Sequence, residues 1–108
     1  MSTVIELNDQ TFKSAIEKAP LAFVDFYASW CGPCRLFSPL FENVAAQHND
    51  AFFFKIDGDQ NPDARENLNI ENLPFIAVYK NGKMIDSIST TVEDTFKEFV
   101  ERMKGRAA

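Results

Sequence analysis

The sequence contains little cysteine, glycine and histidine, and it has no long apolar run. Its 108 residues include two cysteines, four glycines and one histidine. Two cysteines cannot build the dense disulfide framework of a small secreted domain, and a chain of this length can bury a core without one. No apolar run approaches the ~20 residues that a membrane-spanning helix needs. We therefore expect one globular domain over residues 1–108 and no membrane partner.

Positive charge is also scarce. Lys and Arg number 11 against 16 Asp and Glu, so the formal net charge is −5. Nucleic acids and anionic membranes select surfaces rich in Lys and Arg, so the acidic balance argues against both as partners. Residues 1–6 lack a basic region followed by an apolar stretch, which predicts no secretory signal and a cytoplasmic location. In that reducing compartment a cysteine pair is more often catalytic or metal-binding than structural.

Apolar periodicity predicts the element order β-α-β-α-β-α-β-β-α. The predicted strands cover residues 3–7, 21–27, 51–56, 75–79 and 83–88, and the predicted helices cover about 9–19, 32–48, 62–68 and 91–104. Alternating strands and helices are typical of a mainly parallel sheet with helices on both faces. The Asn81-Gly82 turn predicts a hairpin that adds an antiparallel edge. The fold class is therefore α/β, with a central mixed five-stranded sheet flanked by about four helices.

Local signals add four expectations. Pro39 lies inside the second helix and should kink it. Asn61 followed by Pro62 provides a cap and a first helical position for the third helix. The chain after Lys104 should fray, and His48 near a helix end should be solvated.

The two cysteines lie at Cys31 and Cys34, between the second strand and the second helix. A structural disulfide here would close a loop of about four residues and contribute roughly 2 kcal/mol, which is little for a domain with its own core. A zinc site needs four ligands, and His48 cannot complete the set within one chain, although a cluster shared between two chains stays open. The third interpretation is a redox dithiol that needs no metal and no cofactor.

The redox interpretation has a physical basis. The free N–H groups and the positive dipole end of a helix that starts at Cys31 stabilise a thiolate there. Cys34 lies one turn further along the same helix face, within reach of the first sulfur. Cys31 is therefore the predicted attacking thiol and Cys34 the resolving thiol. A lowered Cys31 pKa also makes that sulfur a better leaving group when Cys34 attacks.

The residues around this pair resemble the thioredoxin family, and the resemblance extends over nearly the whole chain. A C-x-x-C beside a β-α-β pattern is a known signature of that family. Residues 30–35, Trp-Cys-Gly-Pro-Cys-Arg, match its active site at each motif position. Residues 24–28 are similar to its active-site strand, residues 57–62 to the segment after its third strand, and Leu73-Pro74 to its cis-proline site. The resemblance implies the thioredoxin fold and the reduction of disulfides in client proteins.

The resemblance also implies a role for each residue around the sulfurs. Cys31 would be the exposed nucleophile and Cys34 the buried resolving thiol. Asp25 would be the buried carboxyl that relays the proton of Cys34, and Lys55 would be the basic partner of Asp25.

Further residues are implied in substrate binding. Trp30 would shape the docking surface beside the nucleophile. Gly32 would permit close approach of a partner backbone, and Pro33 would restrict the loop. Pro74 would be cis and lie against the disulfide, while the backbone at Leu73 pairs with an extended substrate peptide.

Four positions depart from the family pattern. Ser89, in the loop that is implied to face the active site, and Asn72 stand where glycine is common. Phe75 replaces a usual threonine, and Tyr27 replaces a common tryptophan. Ser89, Asn72 and Phe75 bear on the substrate groove and therefore on the range of substrates.

Three hypotheses about function follow. The leading one is a monomeric, cytoplasmic protein-disulfide reductase, whose oxidised pair the resemblance expects an NADPH-dependent flavin reductase to reduce again. The second is a binding module that holds a partner in a thioredoxin-like groove, with redox state as a switch. The third is a dithiol oxidant or isomerase, which a reduction potential well above the cytosolic glutathione poise would favour.

Overall fold

A five-stranded mixed sheet forms the centre of the molecule. The computed structural model describes residues 3–108, and its strands are β1 (Val4–Glu6), β2 (Leu21–Tyr27), β3 (Phe52–Asp57), β4 (Phe75–Lys80) and β5 (Lys83–Ile88). Their order across the sheet is β1-β3-β2-β4-β5. Strands β1, β3 and β2 are parallel, while β4 and β5 are each antiparallel to their neighbours. The mixed sheet and its antiparallel edge are confirmed.

Three helices cover the sheet: α1 (Phe12–Lys18), α2 (Gly32–Ala46) and α3 (Glu93–Ala107). Helices α2 and α3 pack on one face, and α1 packs on the other. Strand β2 is central, so its alternating side chains enter both layers, with Phe23 on the α2/α3 face and Val24 on the α1 face. This explains why β2 reads as a nearly continuous apolar run. No helix within residues 3–108 is long and apolar enough to cross a membrane.

Phenylalanine rings fix helix α2 to the sheet. Phe37 and Phe41 of α2 are buried, and Phe41 lies 5.7 Å from Phe53 of β3 and 5.4 Å from Phe96 of α3, measured between ring centroids. Full burial of one such side chain contributes about 1.5–3 kcal/mol. The helix that begins beside the cysteines is thus held rigidly over β2 and β3.

The structure has three helices in its described part, where about four were expected. Residues 62–67 form turns and not a helix. The Asp9 carboxylate accepts hydrogen bonds from the backbone N–H groups of Ala64 (2.8 Å) and Asp63 (3.3 Å). The Asn61 side chain, expected as a cap, instead accepts a hydrogen bond from the backbone N–H of Asp9 (2.9 Å). These long-range bonds stabilise turns in place of the predicted helix.

Two other local expectations, a frayed end after Lys104 and a solvated His48, were wrong. Helix α3 continues to Ala107, because Arg106 Nη1 pairs with Asp86 Oδ2 at 2.8 Å and holds the last turn. The His48 side chain is only 10% exposed, and its Nδ1 lies 2.9 Å from Lys104 Nζ. Helix α2 runs through Pro39 without interruption to Ala46.

Candidate active site

The cysteine pair lies where β2 passes into α2. Cys31 is the N-cap of α2, and its Sγ accepts a hydrogen bond from the backbone N–H of Cys34 (3.2 Å). The two sulfurs are joined in a disulfide, with the Cα atoms 5.3 Å apart. Gly32 and Pro33 form the first turn between them, where a proline lacks only an N–H that has no helical partner. The helix N-terminus predicted beside Cys31 is present.

The two sulfurs differ in surroundings and not in exposure. Cys31 was expected to be exposed, but both cysteines are 4% exposed in the disulfide form. The cap geometry folds the Cys31 side chain back over the first helical turn, which accounts for its burial. Cys31 lines an open groove, whereas Cys34 lines a separate cavity of about 180 Å³ that contains Asp25 and Lys55. The two sulfurs are therefore distinguished by the space that each of them borders.

Asp25 is a buried acid in the cavity of Cys34. It is 3% exposed, and its Oδ1 has no hydrogen-bond partner among the described residues. Burial raises the pKa of Asp25 from its usual 3.8 to about 7; the Lys55 ammonium opposes this rise and the Glu6 carboxylate adds to it. A carboxyl with such a pKa can accept or release a proton near neutral pH.

Lys55 lies beside Asp25 but is paired elsewhere. The two residues are register partners on the adjacent strands β3 and β2. The ion pair recorded for Lys55 within residues 3–108 joins its Nζ to Glu6 Oε1 on β1, at 3.9 Å. Lys55 therefore acts on Asp25 through space, where its charge partly offsets the rise in the Asp25 pKa, and it shares that charge with a second acid.

A groove of about 400 Å³ opens on the Cys31 side. Trp30 borders it with 68% of its surface exposed, and its Nε1 donates a hydrogen bond to Asp59 Oδ2. Leu73 also borders it, and the Leu73–Pro74 peptide bond is cis, as expected. An exposed aromatic ring beside a disulfide provides apolar contact area for a docking chain.

Ser89 lies next to this groove and not in it. Its Oγ donates a hydrogen bond to the carbonyl of Pro74 (2.7 Å). Ser89 lines a neighbouring depression together with Asn72 and Phe75. Three of the four departures from the family pattern, Ser89, Asn72 and Phe75, thus meet in one place beside the cis-proline.

Comparison with known proteins agrees with this geometry. The family model for thioredoxin matches residues 3–102. The chain is 34% identical over 91 residues to thioredoxin 1 of Plasmodium falciparum, a match that covers 84% of this chain and 88% of that one. It is 38% identical over 77 residues to thioredoxin-1 of Saccharomyces cerevisiae, covering 71% and 75% of the two chains.

The chain belongs to the thioredoxin family. A solved thioredoxin structure from Plasmodium falciparum superimposes with a TM-score of 0.85 at 31% identity, covering 91% of this chain and 97% of that one. The thioredoxin of Schistosoma mansoni gives a TM-score of 0.82 at 30% identity, covering 94% and 98%. With the cysteine pair in place, this thioredoxin-family protein is a protein-disulfide oxidoreductase with thiol-disulfide reductase chemistry.

Two residues of this thioredoxin site, Asp59 and Glu6, were not predicted from the sequence. Asp59 binds the Trp30 ring nitrogen, and Glu6 binds both Lys55 and the Tyr27 hydroxyl. Asp59 follows β3, so its position at the carboxyl end of a parallel strand was an available signal. Glu6 carried no such signal, because only the register between β1 and β3 brings it to Lys55.

Proposed function

We propose that this protein reduces disulfides in partner proteins with Cys31 as the nucleophile and Cys34 as the resolving thiol. The observation that carries the proposal is the asymmetry of the pair. Cys31 lines the open groove beside Trp30, while Cys34 lines the cavity that holds the buried Asp25 carboxyl. A partner chain can therefore reach one sulfur while an internal acid serves the other.

The first step takes place in the groove. The Cys31 thiolate attacks one sulfur of the client disulfide, a mixed disulfide forms, and the other client sulfur leaves as a thiolate. The N-terminus of α2 stabilises the Cys31 thiolate through free N–H groups and the helix dipole. Trp30, Gly32, Pro33 and the Leu73 backbone supply the docking surface for the client.

The second step takes place over the cavity. The Asp25 carboxylate accepts the Cys34 proton, and the resulting thiolate attacks Cys31 Sγ. The bond between Cys31 and the client breaks, the client leaves reduced, and the Cys31–Cys34 disulfide forms. A carboxyl with a pKa of about 7 suits this exchange, because it takes up and releases a proton without a large free-energy step.

The family implies disulfide-containing clients and a reductase in general terms, and we propose the finer assignments. The electron donor is an NADPH-dependent flavin reductase that reduces the Cys31–Cys34 disulfide. The protein works as a cytoplasmic monomer, and residues 1–108 form one domain.

Insulin reduction by dithiothreitol tests the proposal. We expect the wild-type protein to accelerate the precipitation of reduced insulin and Cys31→Ser to fall to the rate without protein. Cys34→Ser should attack but fail to resolve, and should accumulate a mixed disulfide visible on a non-reducing gel. Full turnover by Cys31→Ser would disprove the assigned nucleophile.

The binding-module alternative is tested by a separate comparison. A double Cys31→Ser/Cys34→Ser variant keeps the groove but has no thiol chemistry. If that variant sustained the cellular role of the wild type, binding and not reduction would be the function. We expect it to sustain none, and Ser29→Ala serves as a matched control of similar size near the same helix.

A further inference from the structure

Glu6, Lys55 and Asp25 form a charged row across three neighbouring strands. Lys55 of β3 is the register partner of Glu6 on β1 and of Asp25 on β2. Side chains at register partners of adjacent parallel strands lie on one face of the sheet. Two carboxylates therefore flank one ammonium, and the cation must divide its charge between them.

A second contact, with Tyr27, also fixes the position of Glu6 in this row. Its Oε2 accepts a hydrogen bond from the Tyr27 hydroxyl, and its Oε1 lies 3.9 Å from Lys55 Nζ. Burial and the Glu6 carboxylate raise the Tyr27 pKa above its usual range, so Tyr27 stays a neutral donor at physiological pH. The Glu6 side chain is half exposed, and the hydrogen bond from Tyr27 gives it one defined position beside Lys55.

Asp25 is left without a direct partner by this arrangement. Its Oδ1 accepts no hydrogen bond within residues 3–108, and the ion pair recorded for Lys55 there is the one to Glu6. A lysine paired directly with a buried carboxylate would keep it ionised and make it a poor proton acceptor. A second acid that competes for the lysine prevents this.

We propose that Glu6 is a positioning residue for the resolving step: it holds the Lys55 ammonium away from Asp25, so that Asp25 can take the proton of Cys34. The direction of the Asp25 pKa agrees, because the Glu6 charge raises it and the Lys55 charge lowers it. Tyr27 supports the same step by orienting Glu6. This inference rests on the proposed relay role of Asp25.

Other charged or titratable groups around Asp25 are few. Beyond Glu6 and Lys55, the neighbouring elements contribute Tyr27 of β2, Asp57 of β3, and Cys34 and Arg35 of α2. The partner of Asp25 on β4 is Ile76, which carries no charge. Arg35 also lines the cavity, and its Nη2 donates a hydrogen bond to the Ser29 carbonyl (2.7 Å).

Carboxyl carbon-13 titration of Asp25 in the oxidised protein tests the inference. Neither cysteine titrates in that state, so the signal reports the acid alone. Glu6→Gln keeps an oxygen that can accept from Tyr27 but removes the charge that competes for Lys55. We expect the Asp25 midpoint to fall by roughly one pH unit, since an opposite charge at close range lowers a carboxyl pKa by that order.

A double-mutant cycle separates positioning from a direct charge effect. In a Lys55→Met background, Glu6→Gln should shift the Asp25 titration midpoint only slightly, because no ammonium remains to be released. An equal shift in both backgrounds, or no shift at all, would overturn the inference. Glu98→Gln on α3 makes the same change in net charge and should leave the midpoint where it is.

A kinetic readout distinguishes this inference from the proposed function. The reduced protein is mixed with equimolar 5,5′-dithiobis(2-nitrobenzoate), and the second release of thionitrobenzoate reports the attack by Cys34. We expect Glu6→Gln to move the pH midpoint of this second phase downward with the Asp25 titration. If Asp25→Asn left that phase unchanged at every pH, the relay would fail, whatever the carbon-13 result for Glu6→Gln.

Discussion

At the scale of single residues, the buried Asp25 carboxyl makes stability depend on pH. Its pKa is 3.8 in an unfolded chain and about 7 in the folded protein. Between these values the folded state binds more protons than the unfolded state, so stability falls as pH rises and levels off above pH 7. The full span corresponds to about 4 kcal/mol. We predict that Asp25→Asn raises the free energy of unfolding relative to wild type at pH 8, and that the increase is far smaller at pH 4.

Urea unfolding of the oxidised wild type and Asp25→Asn, at both pH values, provides the measurement. Asp63→Asn serves as the control, because its carboxylate is exposed and it should give the same difference from wild type at each pH. A stability gain for Asp25→Asn that stayed constant between pH 4 and pH 8 would show that burial does not perturb this acid.

Residues of the site divide into two groups by how well the sequence predicts them. Cys31 and Cys34 are neighbours in the chain, and a helix start beside them follows from local periodicity. Asp25 interrupts an apolar run, which is a local signal of a buried acid. The pairing of Glu6 with Lys55 depends on strand register, which no local pattern supplies.

At the scale of elements, two glycines make a matched pair. Gly82 in the β4–β5 turn has φ of +87°, and a Cβ there would lie 3.0 Å from Glu17 Cγ. Gly105 lies inside α3, where a Cβ would meet nothing within 4 Å. We predict that Gly82→Ala lowers the free energy of unfolding by about 1–2 kcal/mol, and that Gly105→Ala raises it by about 0.5 kcal/mol.

Denaturant unfolding monitored by circular dichroism compares the two variants. We expect the changes in unfolding free energy to have opposite signs, because the alanine at position 82 lies in left-handed backbone and the alanine at position 105 in a right-handed helix. Equal destabilisation by both would mean that helix α3 does not extend through Gly105, contrary to its observed end at Ala107.

The turns at residues 62–67 show why one element was mispredicted. Asn61 and Pro62 are a valid local signal for a helix start. The Asp9 carboxylate, more than fifty residues earlier, binds the N–H groups of Asp63 and Ala64. A side chain that distant cannot be paired with the segment from sequence alone, so local propensity gave the wrong element.

The Asp9 contacts lead to a prediction for that element. Asp9→Ala removes both acceptors, and we expect a loss of about 1–3 kcal/mol in the free energy of unfolding. Asp63→Ala is the control, since that residue contributes its backbone N–H and keeps it after substitution. Amide hydrogen exchange at Ala64 should accelerate in Asp9→Ala and stay slow in the control. Unchanged exchange in Asp9→Ala would show that the carboxylate does not hold these turns.

At the scale of the whole molecule, the two faces of one sheet bind two separate apolar layers. Phe96 of α3 belongs to one layer and Ile16 of α1 to the other. The central strands β2 and β4 contribute side chains to both, so neither layer can lose its packing while the other stays intact. The order of strands was not predicted from the sequence, because the crossover between β1 and β3 is set by packing and not by local pattern.

We therefore predict that residues 1–108 unfold in one cooperative transition. Phe96→Leu and Ile16→Val each remove apolar volume from a different layer, and each should lower the denaturant midpoint without changing the slope of the transition. Far-UV circular dichroism and Trp30 fluorescence should give coincident unfolding curves, since the Trp30 ring is hydrogen-bonded to Asp59, which follows β3. A second transition, or a slope reduced by one variant alone, would mean that the two layers fold as separate units. A single transition supports a rigid scaffold in which the packing of α2 and the charged row across β1, β3 and β2 form together.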